Sequence, residues 1–137
     1  NPNSCYLFCD LSDINGMGNL YTSGVADMSY MFLDYGANGK NNALDLEDNF
    51  DTSNVKRMDG MFAHLGARSE YYSLRLGKAF TFKGLEKVPL LIYYNTPTDL
   101  RGTVCVSSDE VRDYITNTIE GRSLVMYYEV EQEVRMF

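Results

Sequence analysis

The chain has no tryptophan, a single histidine and only three cysteines among its 137 residues. The lone His64 has no second histidine and no nearby cysteine pair, so a metal site or a catalytic triad has little to build on. Cys5, Cys9 and Cys105 form an odd set without a Cys-x-x-Cys pair. On one strand Cys5 and Cys9 would share a face but stand about 13 Å apart at ~3.3 Å per residue, too far for a disulfide without a bend between them. Free thiols are expected, and the redox compartment stays open. Long apolar runs are missing too. The longest, Val88 to Tyr94, is seven residues, far below the ~20 that span a bilayer. No basic stretch followed by an apolar one opens the chain, so any export signal is expected to have been removed or never present. Positive charge is scarce: twelve Lys and Arg stand against nineteen Asp and Glu, for a net charge of −7. That balance argues against nucleic acid and against docking on anionic lipid, both of which need a basic surface.

What remains has near-average composition for a globular protein, with 45% apolar and 23% charged residues. The length suits one domain with a sizeable core. An internal repeat is the main signal. Leu20-Tyr-Thr-Ser-Gly-Val-Ala-Asp-Met-Ser-Tyr-Met-Phe32 aligns with Phe50-Asp-Thr-Ser-Asn-Val-Lys-Arg-Met-Asp-Gly-Met-Phe62 at an offset of thirty residues. The same offset carries Gly36 to Gly66, Leu44 to Leu74, Leu46 to Leu76 and Phe50 to Phe80. It continues from Val55 to Leu85, Met58 to Val88, Met61 to Leu91 and Phe62 to Ile92, and from Leu74 and Leu76 to Val104 and Val106. Apolar character persists while polar positions drift, the signature of a solenoid.

Each repeat has an internal logic. The pairs Leu44/Leu46, Leu74/Leu76 and Val104/Val106 alternate with period two and predict short strands with one buried face. Val55, Met58, Met61 and Phe62 have helical spacing, with Thr52 or Ser53 placed to cap and Gly36 and Gly66 where a left-handed residue would end the helix. The sequence therefore predicts an α/β fold: a short leucine-rich-repeat-like solenoid of about three thirty-residue coils, each a strand plus a helix. One coil cannot bury its stripe alone, whereas stacked coils share a core. The reading assigns one domain: an N-terminal cap over 1–19, repeats at 20–49, 50–79 and 80–106, and a C-terminal helix and strand cap over 107–137. Cys5–Cys9 is expected to cover the first coil's edge. Ser108 should cap a helix whose face carries Val111, Tyr114 and Ile115, and 124–137 should supply a final strand or hairpin arm.

The phrases at 20–32 and 50–62 resemble the repeat of BspA-like leucine-rich-repeat surface proteins, which is also found in mycoplasma lipoproteins and in bacterial cell-wall proteins. Their shared pattern runs Leu-Asp-Leu, a spacer, Phe-Asp-Thr-Ser-Asn-Val, then Met and Met-Phe at three-residue steps. Ile14 to Leu20 is similar to the segment that often precedes the first full repeat, and the likeness extends over roughly 11–115. The third repeat departs from it: Thr81-Phe-Lys-Gly-Leu85 replaces the Asp-Thr-Ser-Asn-Val phrase, and Val88, Leu91 and Ile92 replace the Met-Met-Phe set. The resemblance implies a secreted or surface-attached bacterial protein used for adhesion or ligand recognition, without catalytic activity or cofactor, and it supplies no ligand residues.

Candidate sites therefore come from positions that vary on the repeated frame. The outward strand residue is Asp45, then Arg75, then Cys105; just beyond lie Glu47, Gly77 and Ser107; and Asn41-Asn42 becomes Tyr71-Tyr72. A solenoid recognises partners through such positions, and tyrosine supplies apolar area with a hydroxyl handle. Asp45, Glu47, Arg75, Tyr71 and Tyr72 are the candidate ligand-binding residues. Met28, Met31, Phe32, Met58, Met61 and Phe62 are core by spacing rather than a ligand groove. His64 takes the slot of Asp34 and of Tyr94, a tolerant and exposed position. The acidic run 45–51 has Phe50 and Lys56 where an EF-type calcium loop needs glycine and an acid, and Asp51 is better placed as a corner residue bonding nearby N–H groups. Gly16 and Gly18 lack the third glycine of a dinucleotide fingerprint.

The expected function is a non-enzymatic recognition or adhesion module at a bacterial surface, or secreted, that binds a host protein, a glycan or a cell-wall component. The alternative is a structural spacer or cap segment of a larger surface protein, pairing through its C-terminal strand, which also offers a route to self-association. A hydrolase pairing Asp45 and Glu47 with Asp109 or Glu110 is a third reading, which nothing in the sequence orients. No nucleic acid, membrane insertion, metal or cofactor is expected.

Overall fold

A computed structural model of the chain describes residues 3–39, 42–94, 101–115 and 125–130. The first member of each alternating apolar pair lies in a strand, β1 (Ala43–Asp45), β2 (Tyr71–Arg75) or β3 (Arg101–Val106), with β4 (Val125–Val130) following; Leu46 and Leu76 fall just past β1 and β2, and only Val106 stays within its strand. They form one parallel sheet in chain order. Leu44 lies opposite Leu74, and Leu74 opposite Val104, so the thirty-residue offset of the sequence is also the pairing register. A one-residue slip would turn every leucine to the other face, which is why the alternation fixes this register. Between β3 and β4 the step shortens to twenty-four, with Val104 opposite Tyr128.

The connections are not what the spacing predicts. No helix forms over Val55–Phe62 or its counterpart Val25–Phe32. The chain instead makes successive tight turns, in which the N–H groups of Met31, Leu33 and Tyr35 donate to carbonyls three residues back. The alternate N–H groups, on Met28, Tyr30, Phe32 and Asp34, donate across to Arg57, Asp59, Met61 and Ala63. An α-helix would turn every donor back on its own segment; here half of them bind the next repeat. Left-handed backbone at Tyr30, Asp34 and Gly36, and again at Gly60, His64 and Gly66, rules out a continuous helix. The periodicity misled because turns of this kind bury the same apolar positions: Met28, Met31, Phe32, Met58, Met61 and Phe62 are all at most 1% exposed.

Residues 3–10 extend this turn ladder at its start. Ser4, Tyr6, Phe8 and Asp10 donate to Asp27, Ser29, Met31 and Leu33, so Cys5–Cys9 does lie over the first repeat. Phenylalanines stack between successive levels, with Phe8 to Phe32 at 5.4 Å and Phe32 to Phe62 at 5.5 Å; such pairs add to what burial alone contributes. Thr52 caps no helix but bonds the following repeat at Thr81. Val88, expected in the core from Met58, is 62% exposed, and Pro89 beside it is buried.

Helix α1 (Asp109–Ile115) forms as its cap signal indicates. Val111 N–H donates to Ser108 Oγ at 3.3 Å, acids fill the first turn, and Val111 and Ile115 are buried. Tyr114 stacks on Phe82 at 4.2 Å, docking the helix on the third repeat. The strand expected over 124–137 is β4. It pairs inside the chain with β3, which occupies one of its edges; Leu124 and 131–137 lie outside the described residues. No disulfide links Cys5, Cys9 or Cys105.

Candidate functional site

The face of β1–β3 turned away from the core carries two columns set by the register. One runs Ala43, Ser73, Thr103 and the other Asp45, Arg75, Cys105. Arg75 is the hub of the second. Its Nη1 donates to Asp45 Oδ1 at 3.1 Å and its Nη2 to Asp48 Oδ1 at 2.8 Å. The Arg75 bond holds the Asp48 carboxyl below the usual carboxylate range, helped by the Lys78 N–H that donates to Asp48 at 3.1 Å. One guanidinium is thus fixed between two carboxylates, each about half exposed, and its planar fork is oriented before any partner arrives. Asp48 escaped the sequence reading because nothing in its spacing distinguishes it from a solvated acid in a loop.

Glu47 and Tyr71 complete the face in different ways. Glu47 has left-handed backbone, its N–H donates to Asp45 Oδ1 at 2.8 Å, and its carboxylate accepts the Gly18 N–H at 2.6 Å. That bond ties the loop after β1 to the N-terminal segment. The Tyr71 ring is 47% exposed, and its hydroxyl meets that of Thr103 on the neighbouring strand.

Tyr72 does not belong to this surface. Strand β2 begins at Tyr71, so Tyr72 falls on the inward side of the alternation and is only 2% exposed. Its ring lies over Gly66, where a Cβ would stand 2.1 Å from the ring. The expectation of a ligand-binding Tyr72 failed because Tyr71-Tyr72 aligns with Asn41-Asn42, which precedes the shorter β1.

Beside β1 lies a hollow of about 370 Å³, bounded by Asp13, Ile14, Tyr35, Leu44, Asp45 and Glu47. Three carboxylates on its wall favour a ligand that donates hydrogen bonds or carries positive charge. Burial, and then the neighbouring Asp13, push the Tyr35 phenol above its ordinary pKa, so it stays protonated. Asp13 and Tyr35 carry no signal of this role in their spacing; the fold brings both to the hollow beside β1.

Two further acids are engaged locally. Asp51 accepts the Ser53 N–H at 2.8 Å, the corner role its position suggested, and Asp109 pairs with Arg112 at 3.2 Å. His64 is half-buried rather than exposed, with Nδ1 3.0 Å from Asp34 Oδ1. Among the described residues no group of three His, Cys, Asp or Glu side chains comes together as metal ligands, and no helix is long and apolar enough to cross a membrane. The strand face offers carboxylates and a guanidinium that orient one another, beside a phenol held by Thr103, a set suited to matching charge and hydrogen bonds on a partner.

No protein-family model, curated protein or solved structure shows a significant match to this chain.

Proposed function

We propose that the chain is a non-enzymatic recognition module, secreted or attached at a bacterial cell surface, that binds a host protein, a glycan or a cell-wall component through the β1–β3 face. In this reading its repeats are coils of a short leucine-rich-repeat-like solenoid of the BspA-like kind. The observation that supports it most is the register: Leu44, Leu74 and Val104 repeat inward while Asp45, Arg75 and Cys105 differ outward at the same level. A constant frame carrying changing surface residues is how repeat proteins present a binding surface. The acidic hollow beside Asp45 and Glu47 extends that surface.

The test is direct binding of the purified chain to immobilised host-matrix proteins, glycans and cell-wall fragments. Saturable binding to one class supports the module, and silence across all three overturns it.

A structural spacer is the second reading, favoured by the place of β4 at the end of the sheet order, since an end strand is a template for pairing with another chain. Concentration-dependent association in sedimentation, abolished by a proline in β4, would support it; a monomer at all concentrations would remove it.

A further inference from the structure

Among the described residues, six non-glycine side chains sit on left-handed backbone, and five of them belong to the turn ladder: Tyr6, Asp10, Tyr30, Asp34 and His64. That conformation disfavours any residue with a Cβ, and glycine adopts it freely. The ladder itself shows that glycine serves there. The hydrogen bonds place Tyr6, Tyr30 and Gly60 in one column, and Asp10, Asp34 and His64 in the next. Side chains kept at strained positions, where the same chain elsewhere uses glycine, point to a use beyond holding the turns.

The two columns assemble into one surface. Tyr6 stacks on Tyr30 at 5.2 Å with the rings only 11° from parallel, and Tyr6 remains 54% exposed. Gly60 makes room for that stack: a Cβ there would stand 2.4 Å from the Tyr30 ring, which lies over the glycine. Beyond that glycine the Tyr93 phenol lies beside that of Tyr30. His64 packs edge-on against Tyr93 at 5.7 Å and holds Asp34 at 3.0 Å.

We propose that this face, formed by Tyr6, Tyr30, Asp34, His64 and Tyr93, is a saccharide-binding platform separate from the strand face. A pyranose ring has a C–H face that lies on an aromatic ring and a rim of hydroxyls that both donate and accept. The platform matches both, with exposed tyrosine surface beside a carboxylate, an imidazole and phenol groups. A simple cation could use the ring face but would leave the imidazole and phenol donors beside it unmatched. A protein partner would need some 800 Å² of contact on each side, far more than these few side chains present.

The experiment is calorimetric titration of the chain with tetrasaccharides of β-linked glucose, α-linked glucose, N-acetylglucosamine and galactose. It is repeated on Tyr6→Gly, Tyr93→Phe and Arg75→Ala, with thermal melts of each. Tyr6→Gly removes the exposed ring while relieving the backbone, so the fold is retained. The expected result is saturable binding of one sugar class, weakened about ten-fold or more in Tyr6→Gly and weakened in Tyr93→Phe. No binding of any tetrasaccharide, or binding that survives Tyr6→Gly, overturns the proposal. Sugar binding lost in Arg75→Ala but kept in Tyr6→Gly would also overturn it, while supporting the strand face as the recognition surface.

Discussion

Thr52 and Thr81 exchange two hydrogen bonds through one side chain: the Thr52 hydroxyl donates to the Thr81 carbonyl at 2.6 Å and accepts the Thr81 N–H at 2.7 Å. Thr22, one repeat earlier, donates once, to the Asp51 carbonyl at 2.8 Å. Both threonines are buried, so each joins its repeat to the next at a corner water does not reach. Thr52→Val keeps the shape but strands a donor and an acceptor, and should cost about 1–3 kcal/mol. Thr22→Val strands one acceptor and should cost about 1 kcal/mol. Denaturant unfolding of the two variants checks the order, and equal losses would contradict the pairing.

Tyr72 should give the opposite sign. Its buried hydroxyl has no hydrogen-bond partner among the described residues, so Tyr72→Phe removes an unsatisfied group and should leave stability unchanged or raise it by about 1 kcal/mol.

Alkaline pH acts through the same ring. Burial pushes the Tyr72 phenol, and that of Tyr94, above the ordinary tyrosine value. The stability tied to a raised pKa is fully present below the unfolded value of about 10 and is lost as pH rises beyond it, because the unfolded chain releases the proton first. Unfolding followed from pH 8 to 12 should show a decline beginning near pH 10, smaller in Tyr72→Phe. An identical decline in both proteins would contradict this.

Two glycines separate strain from tolerance. Gly77 has φ +79, and a Cβ there would stand 2.0 Å from the Glu47 carbonyl oxygen, while a Cβ at Gly24 meets nothing within 4 Å. Gly77→Ala should cost more than about 3 kcal/mol and Gly24→Ala stay within about 0.5 kcal/mol of wild type. Thermal melts of both variants provide the comparison.

Much of the frame was legible because strand pairing copies sequence spacing. Leu44, Leu74 and Val104 announced the ladder through a fixed offset, and Ser108 announced α1 through its cap. The connections were not legible, because Met28, Met31 and Phe32 are buried equally well by a helix and by successive turns. What distinguishes the two is left-handed backbone at Tyr30, Asp34 and their counterparts Gly60 and His64, together with the bonds between repeats, and a tyrosine gives no hint of that backbone. On the strand face, Asp45 and Arg75 could be read from variation within a repeat. Tyr72 could not, since the alignment hides that β2 starts earlier than β1. The partners of Arg75 and Glu47, namely Asp48 and Gly18, are brought in by loops whose course no periodicity encodes.

The account stands on the claim that Asp45, Tyr71 and Arg75 face outward for a partner rather than for the fold. Their mutual contacts are exposed and should contribute less than about 1 kcal/mol per ion pair to stability. The deciding measurement is therefore the affinity and the melting temperature of Asp45→Ala/Tyr71→Ala/Arg75→Ala, side by side with wild type, against the ligand class that wild type binds. The expected result is an affinity loss of about ten-fold or more, that is, over about 1.4 kcal/mol, with the melting temperature nearly unchanged. Affinity equal to wild type in a folded triple variant would contradict the claim.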